Sequence, residues 1–242
     1  MKQQSLHEIP DLYSGEWNII CDFDGTITPF DVTDAILGEF AAPAWEDIEE
    51  DWLRGDITAR ECMARQIALI RAPVRVLDAF LDSVPVTAGF PEFVRFCRSR
   101  NLRAFVVSDG MDYAIKRILA RHGLTGIPVI ANRLRHNGND TYSLDFPYGA
   151  DGCPSGVCKC AVARAEAGKC LLVGDGRSDC CLAGAVSFVL AKQGKDLQRH
   201  CEANGYPHRE YGDFFDVMGL LEAGPEQDGA FPSRNFSVAR SA

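Results

Sequence analysis

Five short apolar runs set what this chain can fold into. They are WNIICD (17–22), LRAFVVSD (102–109), IPVIA (127–131), CLLVGD (170–175) and VSFVLA (186–191). Each is rich in Val, Ile, Leu or Phe and too continuous for a strand with one wet face, so each predicts a strand covered on both sides. Helical patterns fall between them. Residues 90–101 have an early Pro91 and place Phe93, Phe96 and Cys97 on one face. Residues 111–123 end in basic residues and Gly123, and the alanine-rich stretch 156–169 also meets a glycine. This alternation predicts an α/β fold, a Rossmann-like parallel sheet with helices on both faces.

Two segments break the alternation. Residues 30–88 contain four helical patterns and no strand pattern, which predicts a helical cap inserted after the first strand. Residues 131–152 carry an Asn-Gly pair, Asn137-Gly138, between alternating flanks, which predicts a β-hairpin inserted in the core. The core is then expected over 15–29 and 89–222, with a disordered tail over 223–242.

Composition narrows the function classes. The net charge of −9 argues against a nucleic-acid or anionic-membrane surface but leaves room for a small anionic substrate at a local site. No apolar run approaches the roughly 20 residues a membrane span needs, and the polar N-terminus lacks a signal-peptide core. A soluble, cytoplasmic protein is expected, as monomer or homodimer, with its ten cysteines reduced.

Loops leaving the carboxyl ends of parallel strands converge on one crevice. The chain places Asp22 and Asp24 there after the first strand, Ser108 after the second, and Asp175 and Asp179 after the fourth, with Lys159 opening a helix between. Two carboxylates ending a buried strand are costly unless something pairs with them. Phosphoryl transfer to a carboxylate wants this set. One Asp attacks phosphorus, a second protonates the leaving group and later activates water, and a lysine, a hydroxyl and loop N–H groups hold the phosphoryl oxygens. Hard oxygen ligands suit magnesium. Taken singly, each piece also reads as a strand-end turn, a helix cap or a solvated lysine; the order of all four carries the specificity.

That order resembles the haloacid dehalogenase-like phosphatases, over about residues 17–220. The resemblance implies Asp22 as nucleophile and Asp24 as general acid/base, with Lys159 as the third-motif lysine. It implies phosphate contacts from Ser108, Asp109 and Gly110, and Mg2+ held by Asp22, Asp24 (through its backbone carbonyl), Asp175 and Asp179. A helical cap between the first two motifs marks the subgroup containing phosphoserine phosphatase. The segments CDFDGTIT, VVSDGMDYAI, ANRLRHNG and CKCA resemble the phosphatases of methionine salvage that act on 2-hydroxy-3-keto-5-methylthiopentenyl-1-phosphate, and also the phosphoethanolamine/phosphocholine phosphatases. The substrate expected first is that enol phosphate, then phosphoserine or a phosphorylated amino-alcohol. A phosphotransferase to a metabolite acceptor and a non-catalytic binding protein are the alternatives of other classes. Relatives usually have glycine at Asp109, and an acid there either repels substrate or points away.

Weaker signals remain. Asp31, nine residues after Asp22, has the spacing at which phosphoserine phosphatases contact the substrate amine, and it is equally a good helix N-cap. Arg54, Arg60 and Arg65 read as solvated surface, and Trp45 and Trp52 as cap core. Cys153, Cys158 and Cys160 form C-x4-C-x-C, which fits no standard zinc spacing; His136 is the nearest histidine to complete a site.

Overall fold

A computed structural model describes residues 7–12 and 15–223. The tail expected over 223–242 lies outside them except for Ala223, which closes the last helix.

Seven strands form one sheet in the order β4-β3-β2-β1-β5-β6-β7. They are β1 (Trp17–Cys21), β2 (Arg103–Met111), β3 (Val129–Gly138), β4 (Thr141–Asp145), β5 (Lys169–Gly174), β6 (Phe188–Lys192) and β7 (His208–Tyr211). All pairs are parallel except β3–β4. Ten α-helices accompany them among the described residues. These are α1 (Val32–Phe40), α2 (Trp45–Arg54), α3 (Ala59–Ile67), α4 (Val74–Ser83), α5 (Phe90–Ser99), α6 (Asp112–Arg121), α7 (Lys159–Ala165), α8 (Cys180–Ala183), α9 (Asp196–Asn204) and α10 (Phe214–Ala223).

The continuous apolar runs fill both faces of the sheet. Ile19, Val106, Leu171, Val173 and Leu190 point to one layer, packed with α5, α6 and α10. Ile20, Phe105, Val107, Leu172 and Val189 point to the other, against α7, α8 and α9. This is the period-two alternation of a strand buried on both sides.

Residues 32–83 hold four helices, and the only ladder contact there among the described residues is an isolated bridge between Ala41 and Ile70. Local chemistry sets their ends. Asp31 caps α1 by accepting the Asp34 N–H at 3.0 Å, and Thr58 caps α3 by accepting the Glu61 N–H at 3.2 Å. Gly55 ends α2 in the left-handed region, φ 83°. The segment rests on the sheet layer through α4, whose Asp82 takes a two-armed ion pair from Arg117 of α6 at 2.8 Å on each arm.

Three expectations need correction. The third strand does not stop at Ala131. It runs to Gly138, pairing with β2 in its first half and with β4 in its second. The hairpin does not turn on Asn137-Gly138. Asn139 and Asp140 hold the turn, with φ of 49° and 57°, while Gly138 occupies a register shift in the ladder. Asn and Asp tolerate the left-handed region better than other side chains, so the Asn-Asp pair serves where Asn-Gly was expected. The helix expected over 156–169 is the shorter α7, because the chain leaves helical geometry at Glu166, ψ 137°. Elements α9, β7 and α10 were not individually predicted.

All ten cysteines are free thiols. No helix among the described residues is long and apolar enough to cross a membrane.

Candidate active site

The sheet edge formed by the carboxyl ends of β1, β2 and β5 gathers Asp22, Asp24, Ser108, Lys159, Asp175 and Asp179 of the predicted set. Because β1 sits between β2 and β5, its loop meets both neighbours. Asp22 continues β1 by donating its N–H to the Val173 carbonyl at 2.9 Å. The chain then turns sharply through Phe23–Ile27. Gly25 makes the turn possible, with φ of 73°, and a Cβ there would fall on the Asp175 carboxylate. The DGT spacing therefore packs the first loop directly on the fifth strand's end.

Lys159 is the electrostatic centre. Its Nζ donates to Asp22 Oδ1 at 2.8 Å, Asp179 Oδ1 at 2.7 Å and Ser178 Oγ at 3.1 Å. Its side chain is 2% exposed and those of Asp22 and Asp179 6% and 0%, so this is a buried network rather than a surface pair. Burial works against the ammonium, but Asp179, Asp22 and Asp109 more than offset that and hold its pKa above the ordinary lysine value. Asp179 Oδ2 also accepts the Asp175 and Gly176 N–H groups at 3.2 and 3.3 Å.

One lysine does not balance the acids. Burial, then the Asp179 charge, push the Asp22 carboxyl well up, with Lys159 opposing. Burial and Asp179 raise Asp175 as well. Asp22, Asp175 and Asp179 each offer a carboxylate oxygen within 4.8 Å of the others, and no other described His, Cys, Asp or Glu residues form such a group. Three hard oxygens with uncompensated negative charge suit a hard divalent cation.

Asp24 stands across from this trio. Its Oδ1 accepts the Val32 N–H at 2.8 Å, which ties it to the start of α1, and its Oδ2 accepts from Ser108 Oγ at 3.4 Å. Burial, then the neighbouring Asp31, raise its pKa well above the usual carboxylate range. Ser108 Oγ also accepts the Gly110 N–H at 2.9 Å. A Cβ on Gly110 would lie 2.7 Å from Asp24 Oδ2, so a larger residue there would displace that carboxylate.

The remaining expected residues have other hydrogen-bond or ion-pair partners. The Asp31 carboxylate accepts from the α1 backbone as an N-cap. The Asp109 carboxylate turns to the loop before Lys159 and accepts the Val157 N–H at 2.6 Å. Arg54 and Arg65 pair with surface acids. Arg60 departs from the expected solvated state: it is half-buried, and its guanidinium donates to the Ser155 carbonyl at 3.0 Å and the Cys153 carbonyl at 3.2 Å. Trp45 packs on the main core, while the Trp52 ring lies 5.6 Å from the Arg177 guanidinium of the site loop. The thiol of Cys153 interacts with Cys158, and that of Cys160 with Cys181. His136 lies against Tyr142 instead, at 5.3 Å between ring centroids.

Three contributors were missed: Ser178, whose Oγ accepts from Lys159 Nζ, Thr26 and Lys192. Thr26 donates from Oγ1 to Asp175 Oδ1 at 3.2 Å, and Lys192 donates from Nζ to the Gly25 carbonyl at 2.6 Å. Thr26 stood inside the motif as its fifth residue. Lys192 closes β6 at the same sheet edge, and that strand-end position is the signal that could have found it.

A family model for haloacid dehalogenase-like hydrolases matches residues 19–184. A 2-hydroxy-3-keto-5-methylthiopentenyl-1-phosphate phosphatase of Geobacillus kaustophilus is 32% identical over 216 residues, covering 84% of this chain and 94% of that protein. The enzyme of the same name from Geobacillus thermodenitrificans is 31% identical with the same coverage. Among solved structures, a phospho-aspartyl intermediate analogue of phosphoserine phosphatase superposes with a TM-score of 0.65 at 18% identity, covering 85% of this chain and 99% of that one; it speaks to the fold alone. The matched span runs from β1 past Asp179 and takes in every residue of the acid–lysine network, and on it the chain belongs to the haloacid dehalogenase-like hydrolases.

Proposed function

We propose that the protein is a magnesium-dependent phosphatase of a small phosphorylated metabolite, working through an aspartyl-phosphate on Asp22. The observation that carries this reading is the division between the two first-loop acids. Asp22 lies against Lys159, Asp175 and Asp179, while Asp24 faces Ser108 with a raised pKa.

Asp22, Asp175 and Asp179 would hold the magnesium, joined by the backbone carbonyl of Asp24 that the resemblance implies. When bound, the ion supplies positive charge that offsets the acids and the transferring phosphoryl oxygens. Lys159 orients Asp22 and opposes the rise of its pKa. A free Asp22 oxygen attacks phosphorus as the ester P–O bond breaks. The leaving oxygen takes the proton of Asp24, whose raised pKa favours the protonated form. Asp24, now ionised, accepts a proton from water as the water oxygen bonds to phosphorus. The Asp22–phosphorus bond then breaks, releasing phosphate and restoring both acids. Ser108 and the Gly110 N–H stand at the side where phosphoryl oxygens need donors.

The substrate proposed is 2-hydroxy-3-keto-5-methylthiopentenyl-1-phosphate. Support comes from the relatives that bear this activity in their names over 94% of their length. Asp31, the residue that would have favoured an amine, is engaged as a helix cap. Helices α1 to α4 are assigned the role of a cap over the leaving group, which excludes water during transfer. The test is phosphate release, with magnesium, from a panel of this enol phosphate, phosphoserine, phosphoethanolamine, phosphocholine and sugar phosphates, beside Asp22→Asn. The enol phosphate is expected to lead in kcat/KM, and Asp22→Asn to abolish turnover. Preference for an amine-bearing ester would overturn the substrate. Full activity of Asp22→Asn would overturn the mechanism, and label passed to an added alcohol instead of water would make the protein a phosphotransferase.

A further inference from the structure

Lys159 is the first residue of a helix only seven residues long, and its N-cap makes no side-chain hydrogen bond. So short a helix does not hold its own first residue in place. The position of the lysine between Asp22 and Asp179 must come from the loop that leads into it.

That loop is tied at three points. The Val157 N–H donates to Asp109 Oδ1 at 2.6 Å, the Cys158 N–H to the Tyr148 carbonyl at 2.8 Å, and the Cys153 and Ser155 carbonyls take the Arg60 guanidinium. Only the first tie comes from a strand of the site. Side chains alternate along β2, so Ser108 faces Asp24 while Asp109 faces the loop. Asn132 of β3 braces Asp109 from behind, donating from Nδ2 to its carbonyl at 2.5 Å. The loop lies against the same asparagine: a Cβ on Gly156 would fall 2.5 Å from Asn132 Nδ2. Val157 is fully buried, and its carbonyl accepts the Lys159 N–H at 3.0 Å.

We propose that Asp109 is a positioning residue for Lys159: by holding the Val157 N–H it fixes the loop that delivers the lysine to Asp22 and Asp179. The Asp109 carboxylate thus acts toward the loop. The effect on turnover rests on the phosphatase reading above; the effect on the loop does not.

The experiment compares Asp109→Ala and Asp109→Asn in the full chain by kcat, by KM and by hydrogen exchange at the Val157 amide. An asparagine Oδ1 still accepts that N–H; alanine cannot. Asp109→Ala is expected to lose about tenfold to a hundredfold in kcat, with KM within about threefold, as a misplaced group costs rate more than ground-state binding. Its Val157 amide is expected to exchange faster. Asp109→Asn is expected to recover most of the rate and all of the protection. Asparagine as slow as alanine would show that the charge matters and not the tie, and would overturn the proposal. So would a rise in KM at unchanged kcat, or an alanine variant with wild-type rate and protection. Should Asp109→Ala fail to fold, Asp109→Asn alone still decides: loss of rate or of Val157 protection overturns the proposal, and retention of both supports it. A wild type that releases no phosphate from any ester would sink the phosphatase reading alone, and the Val157 exchange comparison would still test the tie.

Discussion

Replacing Lys159 by Met removes the charge at nearly constant volume and leaves the acids facing one another. The two contacts at 2.8 and 2.7 Å each carry about 6 kcal/mol of attraction at an effective dielectric of about 20. Most of that is returned because the buried ammonium no longer has to be desolvated, and breaking a buried pair from one side typically costs about 3–5 kcal/mol net. At about 2–4 °C per kcal/mol for a domain of this size, the melting temperature of Lys159→Met should fall by about 6–20 °C at pH 8 in chelator. The sign with pH follows from Asp22. Its folded pKa is raised, so between the usual carboxylate range near 4 and that raised value the folded state binds more protons than the unfolded chain. Stability in that window rises as pH falls. Removing Lys159, which opposes the shift, pushes Asp22 higher still. The deficit should therefore be largest at pH 8 and shrink toward pH 5, and millimolar magnesium should narrow it at pH 8 by supplying the missing positive charge. Urea or thermal unfolding of both proteins at both pH values, with and without magnesium, measures all three effects. A deficit under about 1 kcal/mol, or one indifferent to pH and magnesium, would refute the view that Lys159 is the main counter-charge of the site.

Asp24→Asn should lower kcat by about 10²–10⁴-fold while a phosphorylated enzyme can still form from esters with good leaving groups, seen as a burst of product; an unchanged kcat would remove Asp24 from proton transfer. Gly25→Ala forces a side chain onto the Asp175 carboxylate at φ 73°, so it should cost about 1–2 kcal/mol in backbone strain alone and weaken magnesium binding by calorimetry; wild-type stability and affinity would show that the turn relaxes freely.

The helices between residues 32 and 83 were legible because their ends carry local chemistry. Asp31, Thr58 and Gly55 announce caps that need no tertiary contact. The strand ends that bear Asp22, Ser108 and Asp175 were legible for a related reason, since apolar runs stop where polar side chains start. The course of β3 was not. Its first half is buried against β2 and its second half pairs only with β4, so one strand carries two different patterns and reads as two pieces. Asp109 was singled out as unusual, but no periodicity says which of two strand faces a loop 48 residues away will occupy. Lys192 and Arg60 look like ordinary surface cations in the sequence; their carbonyl partners come from distant segments.

The central place of β1 has a consequence for how the chain is made. The strand bearing Asp22 leaves the ribosome first, yet its two neighbours follow far behind, and the partner that pairs Trp17 with Lys169 comes about 150 residues later. At about 5–20 residues per second, that partner arrives roughly 8–30 s after β1 itself. Until β2 emerges Ile19 and Ile20 have no strand to pair with, and until β5 emerges β1 has only the β2 side of its ladder. A nascent protein arrested before Asp175 holds the helices α1 to α7 but not its acid trio, which is joined only when Asp179 is translated.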